Sequence, residues 1–340
     1  MRNDTRKAFN NLRSRIAKLS GVDNAAETFA VEPSVQQTLE SKIQESSEFL
    51  SRINMIGVDE IKGEKLGLGV SGPIAGRTDV SQNDRTPRDL TALDDNAYEC
   101  FSTEFDTFLL WSKLDAWAKF PDFQTRFRNA VVRQQALDRI MIGFNGTSAA
   151  TASDRVANPL LQDVNIGWLQ KYRDHAPERV LDEGENEAGK IWVGPNGDFS
   201  NLDALVYAAV NELIEPWYRE STDLVVVVGR KLLADKYFPL IDTENAPTEQ
   251  RALDMLLSAK RMGGQQAVRA PFVPDGTMLI TSLENLSLYW QTGSRRRHIV
   301  DNPKRKRVEN YESTNESYVV EDYGFGCLVE NIELGEYVAP

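Results

Sequence analysis

The stretch from Pro121 to Gly146, PDFQTRFRNAVVRQQALDRIMIGFNG, constrains the fold more than any other part of the chain. Phe123, Phe127, Ala130, Val131, Gln134, Leu137, Ile140, Met141 and Phe144 recur at steps of three and four, which places them on one stripe of an α-helix. Pro121 and Asp122 suit its start, and Gly143 and Gly146 suit its end. At about 1.5 Å per residue the helix is a rod of about 33 Å, long for a globular protein. The opposite face carries Arg126, Arg128, Arg133, Asp138 and Arg139, so it is expected to be wet or to meet a partner. Periodicity leaves two readings open, an ordinary core helix or a brace running through a subunit.

A chain of 340 residues has room for two domains around sizeable cores. Its net charge of −12 argues against a general nucleic-acid binder, which needs many cations to displace counterions from phosphates. Two cysteines, Cys100 and Cys327, stand far apart, and there is no CxxC, so neither a disulfide framework nor a cysteine zinc site is expected. Two histidines, His175 and His298, are too few for a histidine-rich metal site. No apolar run approaches the length of a membrane span. The amino terminus lacks the apolar core of a signal peptide, so the chain is expected to stay inside the cell that makes it.

Residues 1–20 carry six basic side chains against Asp4, with Phe9, Leu12, Ile16 and Leu19 as a narrow apolar stripe. This predicts a short basic amphipathic helix ending in a polar linker, a detachable head. It either touches an acidic partner or membrane surface or frays in solution. A second helix is expected from Pro33, with Ser34 and Gln37 at capping-box spacing and Val35, Leu39, Ile43, Ser46, Leu50 and Ile53 on its stripe. Residues 61–110 read as a long β-hairpin: Leu66, Leu68 and Val70 on one strand, Phe101 to Leu109 on the other, and a polar Gly- and Pro-containing stretch between. A two-stranded ribbon of that length needs a surface to lie on, and a neighbouring subunit can supply one. Further on, helices are expected around residues 163–177, 200–220 and 230–238, with a buried strand at Asp223–Gly229. Strands follow at 266–270, 278–281, 286–290, 307–311, 318–321 and 326–332. The order is α+β rather than a regular βαβ alternation.

Gly67-Leu-Gly-Val-Ser-Gly72 matches G-x-G-x-x-G, but Pro73 and a polar loop follow where dinucleotide binding needs a helix to open. Gly229-Arg230-Lys231 lacks P-loop spacing, and neither H-E-x-x-H nor G-x-S-x-G occurs. No catalytic residues, cofactor or metal are therefore expected. Arg295, Arg296, Arg297, Lys304, Arg305, Lys306 and Arg307 place seven basic residues within thirteen positions of an acidic chain. They read as a phosphate site, as salt bridges to another subunit, or as a solvated hairpin.

Several segments together resemble one family. They include Val31-Glu-Pro-Ser-Val35, Lys62-Gly-Glu-Lys65, Gly143-Phe-Asn-Gly146, Gly167-Trp-Leu-Gln-Lys-Tyr-Arg173, Leu213-Ile-Glu-Pro-Trp-Tyr218, Leu232-Leu-Ala-Asp-Lys-Tyr-Phe-Pro239, Arg307-Val-Glu-Asn-Tyr-Glu-Ser313 and Tyr318-Val-Val-Glu-Asp-Tyr323. In order, along nearly the whole chain, they resemble the major capsid proteins of peduovirus-like tailed bacteriophages. The resemblance implies the HK97-type capsid fold, an α+β architecture with spine helix, peripheral and axial domains, extended loop and amino-terminal arm. By that likeness, residues 1–29 are a segment removed on maturation at Phe29–Ala30, 30–60 the arm and 61–110 the extended loop. Residues 111–199 are then the peripheral domain with spine helix 121–146, 200–303 the axial domain, and 304–340 the return to the peripheral domain. The implied function is self-assembly into hexamers and pentamers of an icosahedral head shell, built in the host cytoplasm and kept in the virion. The implied partners are further copies of the chain, a scaffolding protein with maturation protease activity, a portal and a terminase, with no membrane and no sequence-specific nucleic acid. The seven basic residues are the expected inter-subunit contacts. Two alternatives are an encapsulin-like shell of the same fold and a soluble α+β enzyme.

Overall fold

A computed structural model describes residues 1–19, 22–65, 75–82, 84–85, 97–117, 123–241 and 260–339. It divides into two units woven from separate stretches of chain: Met1–Lys62, Glu99–Gln170 and Leu286–Val319 in the first, Gly63–Tyr98, Lys171–Asn285 and Val320–Pro340 in the second. The expected boundary at residue 303 falls inside an antiparallel hairpin, Arg296–Asn302 with Arg307–Val320. Seven residue pairs hold that hairpin together, so it stays in the first unit, while Val320, the last residue of the second strand, and those after it belong to the second unit.

The first unit is built on a seven-stranded sheet. Its main order is Phe29–Ala30, Arg296–Asn302, Arg307–Val320, Leu286–Gln291 and Asn54–Val58. Phe101–Glu104 and Thr107–Leu110 also pair with Arg307–Val320, so the stretch expected to return along the extended hairpin is instead part of this sheet. The described ribbon is short, Lys62–Glu64 against Ala97–Glu99. The rest of the expected outgoing strand, including Gly67–Gly72, lies outside the described residues. The two strands expected at 307–311 and 318–321 are one strand of 14 residues.

The long helix runs from Phe123 to Asn145, close to the expected span. Its burial differs from the expected stripe. Gln135, Ala136, Arg139, Ile140, Ile142 and Phe144 are buried, whereas Ala130 and Gln134 are exposed. Arg139, expected on the wet face, has no exposed surface. Gly143 does not end the helix: a Cβ there would meet the Trp168 ring at 2.2 Å, so the position serves close packing. Trp168 stands edge-on to Phe144, Phe49 and Tyr318, with centroids at 5.4, 6.1 and 5.3 Å, and its indole N–H donates to Ser287 O. The second helix, Pro33–Glu45, opens on Pro33 with Glu32 at the N-cap and no side-chain cap bond, so Ser34 does not cap it. It buries Gln36, Glu40 and Ile43 and stops well before Ile53; a 3-10 turn and the strand Asn54–Val58 follow.

The second unit has a six-stranded sheet in the order Arg261–Met262, Gln265–Arg269, Leu224–Val228, Met278–Ser282, Gly326–Val329, Val180–Leu181. Leu224–Val228 is buried at all five positions, as the run of valines requires of a central strand. Leu202–Leu213 packs Leu205, Val206 and Ala209 into the core, capped by Asn201, whose Oδ1 accepts from Ala204 N at 2.9 Å. Arg230 and Lys231 are exposed at the start of the helix Arg230–Ile241, as expected of surface charges. Both cysteines are free and buried, and burial pushes the Cys100 thiol up to about 12.

Candidate processing and assembly site

Phe29–Ala30 is the edge strand of the first sheet and pairs antiparallel with Arg296–Asn302, Phe29 opposite Arg297 and Ala30 opposite Arg296. The structure thus brings together two sets of residues that the sequence kept 265 or more positions apart. The pairing extends beyond the strand. Ile299 N donates to Ala25 O at 3.2 Å, and Val31 N donates to Arg295 O at 2.9 Å. Strand alternation turns the Phe29 side chain inward, 7% exposed, to pack with Ala17, Ala25 and Val31, and leaves Ala30 outside.

The expected detachable head is docked on the same unit. Its helix, Asn3–Leu19, places Phe9 against Ile299 and Val308, with Trp111 and Leu114 beside them. Arg6 pairs with Asp301 at 3.2 Å, and Arg2 N donates to Asp115 at 2.8 Å. These exposed polar contacts add little stability, so the apolar contacts of Phe9 and Ala17 do most of the holding.

Beneath this edge lies a buried ion network that takes Arg295 out of the surface set. Arg295 donates to Glu40 at 2.6 Å through Nη1, to Glu312 at 2.8 Å through Nε, and to Gln135 Oε1 at 3.0 Å. Arg139 bridges Glu40 at 2.6 Å and Glu316 at 3.1 Å. Local periodicity explains the convergence. Glu312 and Glu316 lie on one face of a strand, Gln135 and Arg139 one turn apart on the long helix, and Glu40 on the second helix. Two guanidiniums face three carboxylates, a formal charge of 2 − 3 = −1 in a closed space. For Glu40 burial acts upward, but Arg139 and Arg295 together hold its carboxyl below the usual value. Glu312 follows the same logic, with Arg295 and Arg297 as its cations. Burial wins at Glu316 and pushes that carboxyl up. Sequence reasoning missed this site because it sought apolar residues at core-facing periods. The available signal was polar residues at those periods on three separate elements.

The remaining basic residues divide. Arg296, Lys304, Arg305 and Lys306 are exposed. Arg297 is half-buried and donates to Asn310 at 2.8 Å; Arg307 pairs with Glu309 at 2.6 Å and lies over the Phe108 ring at 4.5 Å. Among the described residues no cluster of His, Cys, Asp and Glu is arranged to hold a metal, and no helix is long and apolar enough to cross a membrane.

Residues 8–332 match the family model for the phage major capsid protein, P2 family. The chain is 53% identical to the capsid proteins of Escherichia phage P2, covering 100% of this chain and 98% of that one. It is 41% identical to the major capsid protein of Serratia phage KSP20, covering 99% of both. Among solved structures it is similar to a chain of the satellite phage P4 procapsid that includes the size determination (Sid) protein, with 51% identity and a TM-score of 0.83 over 99% of this chain and 100% of that one. A likeness of fold alone extends to the capsid of an empty GTA particle, at 14% identity and a TM-score of 0.51 over 85% of this chain and 90% of that one. The expected HK97-type capsid fold is therefore present, and the chain belongs to the P2 family of phage major capsid proteins.

Proposed function

We propose that the chain forms the hexamers and pentamers of an icosahedral head shell, assembles on a scaffolding protein that carries the maturation protease, and loses residues 1–29 by cleavage at Phe29–Ala30. In this reading a portal and a terminase complete the assembly. The first unit corresponds to the peripheral domain and the second to the axial domain. Arg296, Arg297, Lys304, Arg305, Lys306 and Arg307 make charged contacts between subunits. Family membership already assigns the coarser part: a structural protein of the virion that builds the head shell with its own copies. The compartment-forming alternative is not favoured, since the full-length relatives at 41% and 53% identity are phage capsid proteins.

The observation that supports the finer reading is exposed large apolar side chains on both units. Phe108 (56% exposed) and Leu110 (37%) lie two residues apart, on one face of a sheet strand. In the second unit Tyr207 is 67% exposed on its helix, and Trp217 is 45% exposed. Many modest contacts of this kind, repeated by symmetry, make a closed shell stable though each is weak.

The test is co-expression with the scaffold-protease, followed by negative-stain microscopy, sedimentation and intact mass. Shells whose subunit begins at Ala30 support the whole reading, and shells of full-length chain remove the cleavage. A monomer that never assembles overturns it. Deletion of residues 71–97 is expected to leave a folded subunit that builds no shells, and normal shells from that deletion would remove the extended loop from the mechanism.

A further inference from the structure

The bond expected to be cut is part of the folded sheet, and that has consequences for when it can be cut. We propose that the docked amino-terminal helix shields Phe29–Ala30, so that release of residues 1–29 from the first sheet precedes cleavage. This rests on the reading that residues 1–29 are removed. Three observations converge on it. The backbone from Ala25 to Val31 is held by Arg295–Ile299 on one edge. The Phe29 ring, which an endoprotease must receive or pass to reach the bond, is buried with Ala17 and Ala25. Ala17 belongs to the helix that Phe9, about two turns earlier, anchors against Ile299 and Val308.

An endoprotease adds water across the Phe29 carbonyl and the Ala30 nitrogen, leaving a carboxylate on one and an amine on the other. To reach that carbonyl it must bind the strand in extended form with the flanking side chains in its own pockets. Ala30 is exposed, and among the described residues no strand pairs with the outer edge, but Phe29 points the other way. Cleavage therefore follows a local opening, and its rate tracks the population of the opened form. The opening is a natural point of control. Whatever draws the helix off the sheet during assembly also presents the bond.

The test uses the full chain and chymotrypsin, which takes an aromatic residue before the cut bond and so reads Phe29 without the natural protease. A synthetic peptide spanning residues 25–35 sets the unprotected rate. The intact chain is expected to be cut at Phe29 at least about a hundredfold more slowly than the peptide, as for a bond reached only through local opening. Phe9→Ser should speed that cut by about tenfold or more, because it removes the main apolar anchor. Arg6→Glu, on an exposed residue, keeps the fold and should speed it by about two- to fivefold through loss of the Asp301 pair. Hydrogen exchange at the Val31 amide should rise in step in both variants. Cutting of the intact chain at the peptide's rate overturns the proposal, as do unchanged rates in both variants. The cleavage reading fails separately. Shells of full-length chain would remove it while the protection against chymotrypsin stands. Shells beginning at Ala30, built from a chain that chymotrypsin cuts at the peptide's rate, would remove the protection alone.

Discussion

The two units differ in what they bury beside their aliphatic side chains. The second is filled by aliphatic side chains: Val226, Val228, Leu205, Val206, Met278 and Ile280 are each at most 1% exposed and pack together. The first adds to buried aliphatics such as Ile43, Leu50, Ile140 and Leu288 a network of five ionisable groups and an aromatic cluster. An aliphatic core tolerates exchange of one apolar shape for another of similar volume. A buried ion network does not, because removing one member leaves the opposite charge desolvated and unpaired. The first unit is thus specified by charge partners as well as by volume, the second mainly by volume.

The largest expected effect comes from breaking the network at its hub. Arg139→Ala should destabilise the first unit by about 3–5 kcal/mol, since Glu40 and Glu316 both lose their bridge. Denaturant unfolding with hydrogen exchange resolved to each unit would show whether the loss stays in the first. Next is a cavity in the other core. Ile280→Ala should cost about 2–4 kcal/mol, read by the same measurement in the second unit. If Arg139→Ala costs no more than a surface change, the contrast between the cores collapses. Smaller again is Gly143→Ala. The added methyl group meets Trp168, so about 1–3 kcal/mol is expected, with altered Trp fluorescence as its signature.

The smallest expected effect is that of pH, and its sign follows from the network. Glu40 and Glu312 have lowered folded values, so their contribution is present above the ordinary carboxylate value and is lost as pH falls through the folded ones. Glu316 is raised, so its contribution is present below the ordinary value and is lost as pH rises through the folded one. On the acid side, protonating Glu40 and Glu312 leaves the buried Arg295 guanidinium without either of its counter-ions. The first unit should loosen as pH falls below the carboxylate range, while the second, whose described lowered carboxylates are the exposed Asp79 and the partly exposed Glu187, responds less. Hydrogen exchange as a function of pH checks this. Equal acid sensitivity in both units would break the comparison.

Elements with strong local signals were legible in the sequence. The long helix was placed within two residues at its start and one at its end, and the valine strand at Leu224–Val228 was placed with the helix that follows it. What failed was the assignment of faces. Arg139 was put in solvent because charge usually belongs there, and Arg295 was grouped with its exposed neighbours Arg296 and Lys304–Lys306 for the same reason. The narrow stripe and polar linker of the head do not show what it lies against: Phe9 packs on Ile299 and Val308, nearly 300 residues away in the chain.

Taken alone, the sequence determined the helices, the buried strand of the second unit, the absence of a disulfide framework and, through its motifs, the capsid family. Each of these rests on local periodicity, composition or contiguous identity, and such signals survive without knowledge of any distant contact. The tertiary structure alone decided that Glu40, Arg139, Arg295, Glu312 and Glu316 pair with one another, and that Phe29–Ala30 is an edge strand paired with Arg296–Arg297. The physical reason is that the stability of a buried charge, or of an edge strand, depends on what stands opposite it. The opposing groups come from elements with no fixed spacing along the chain.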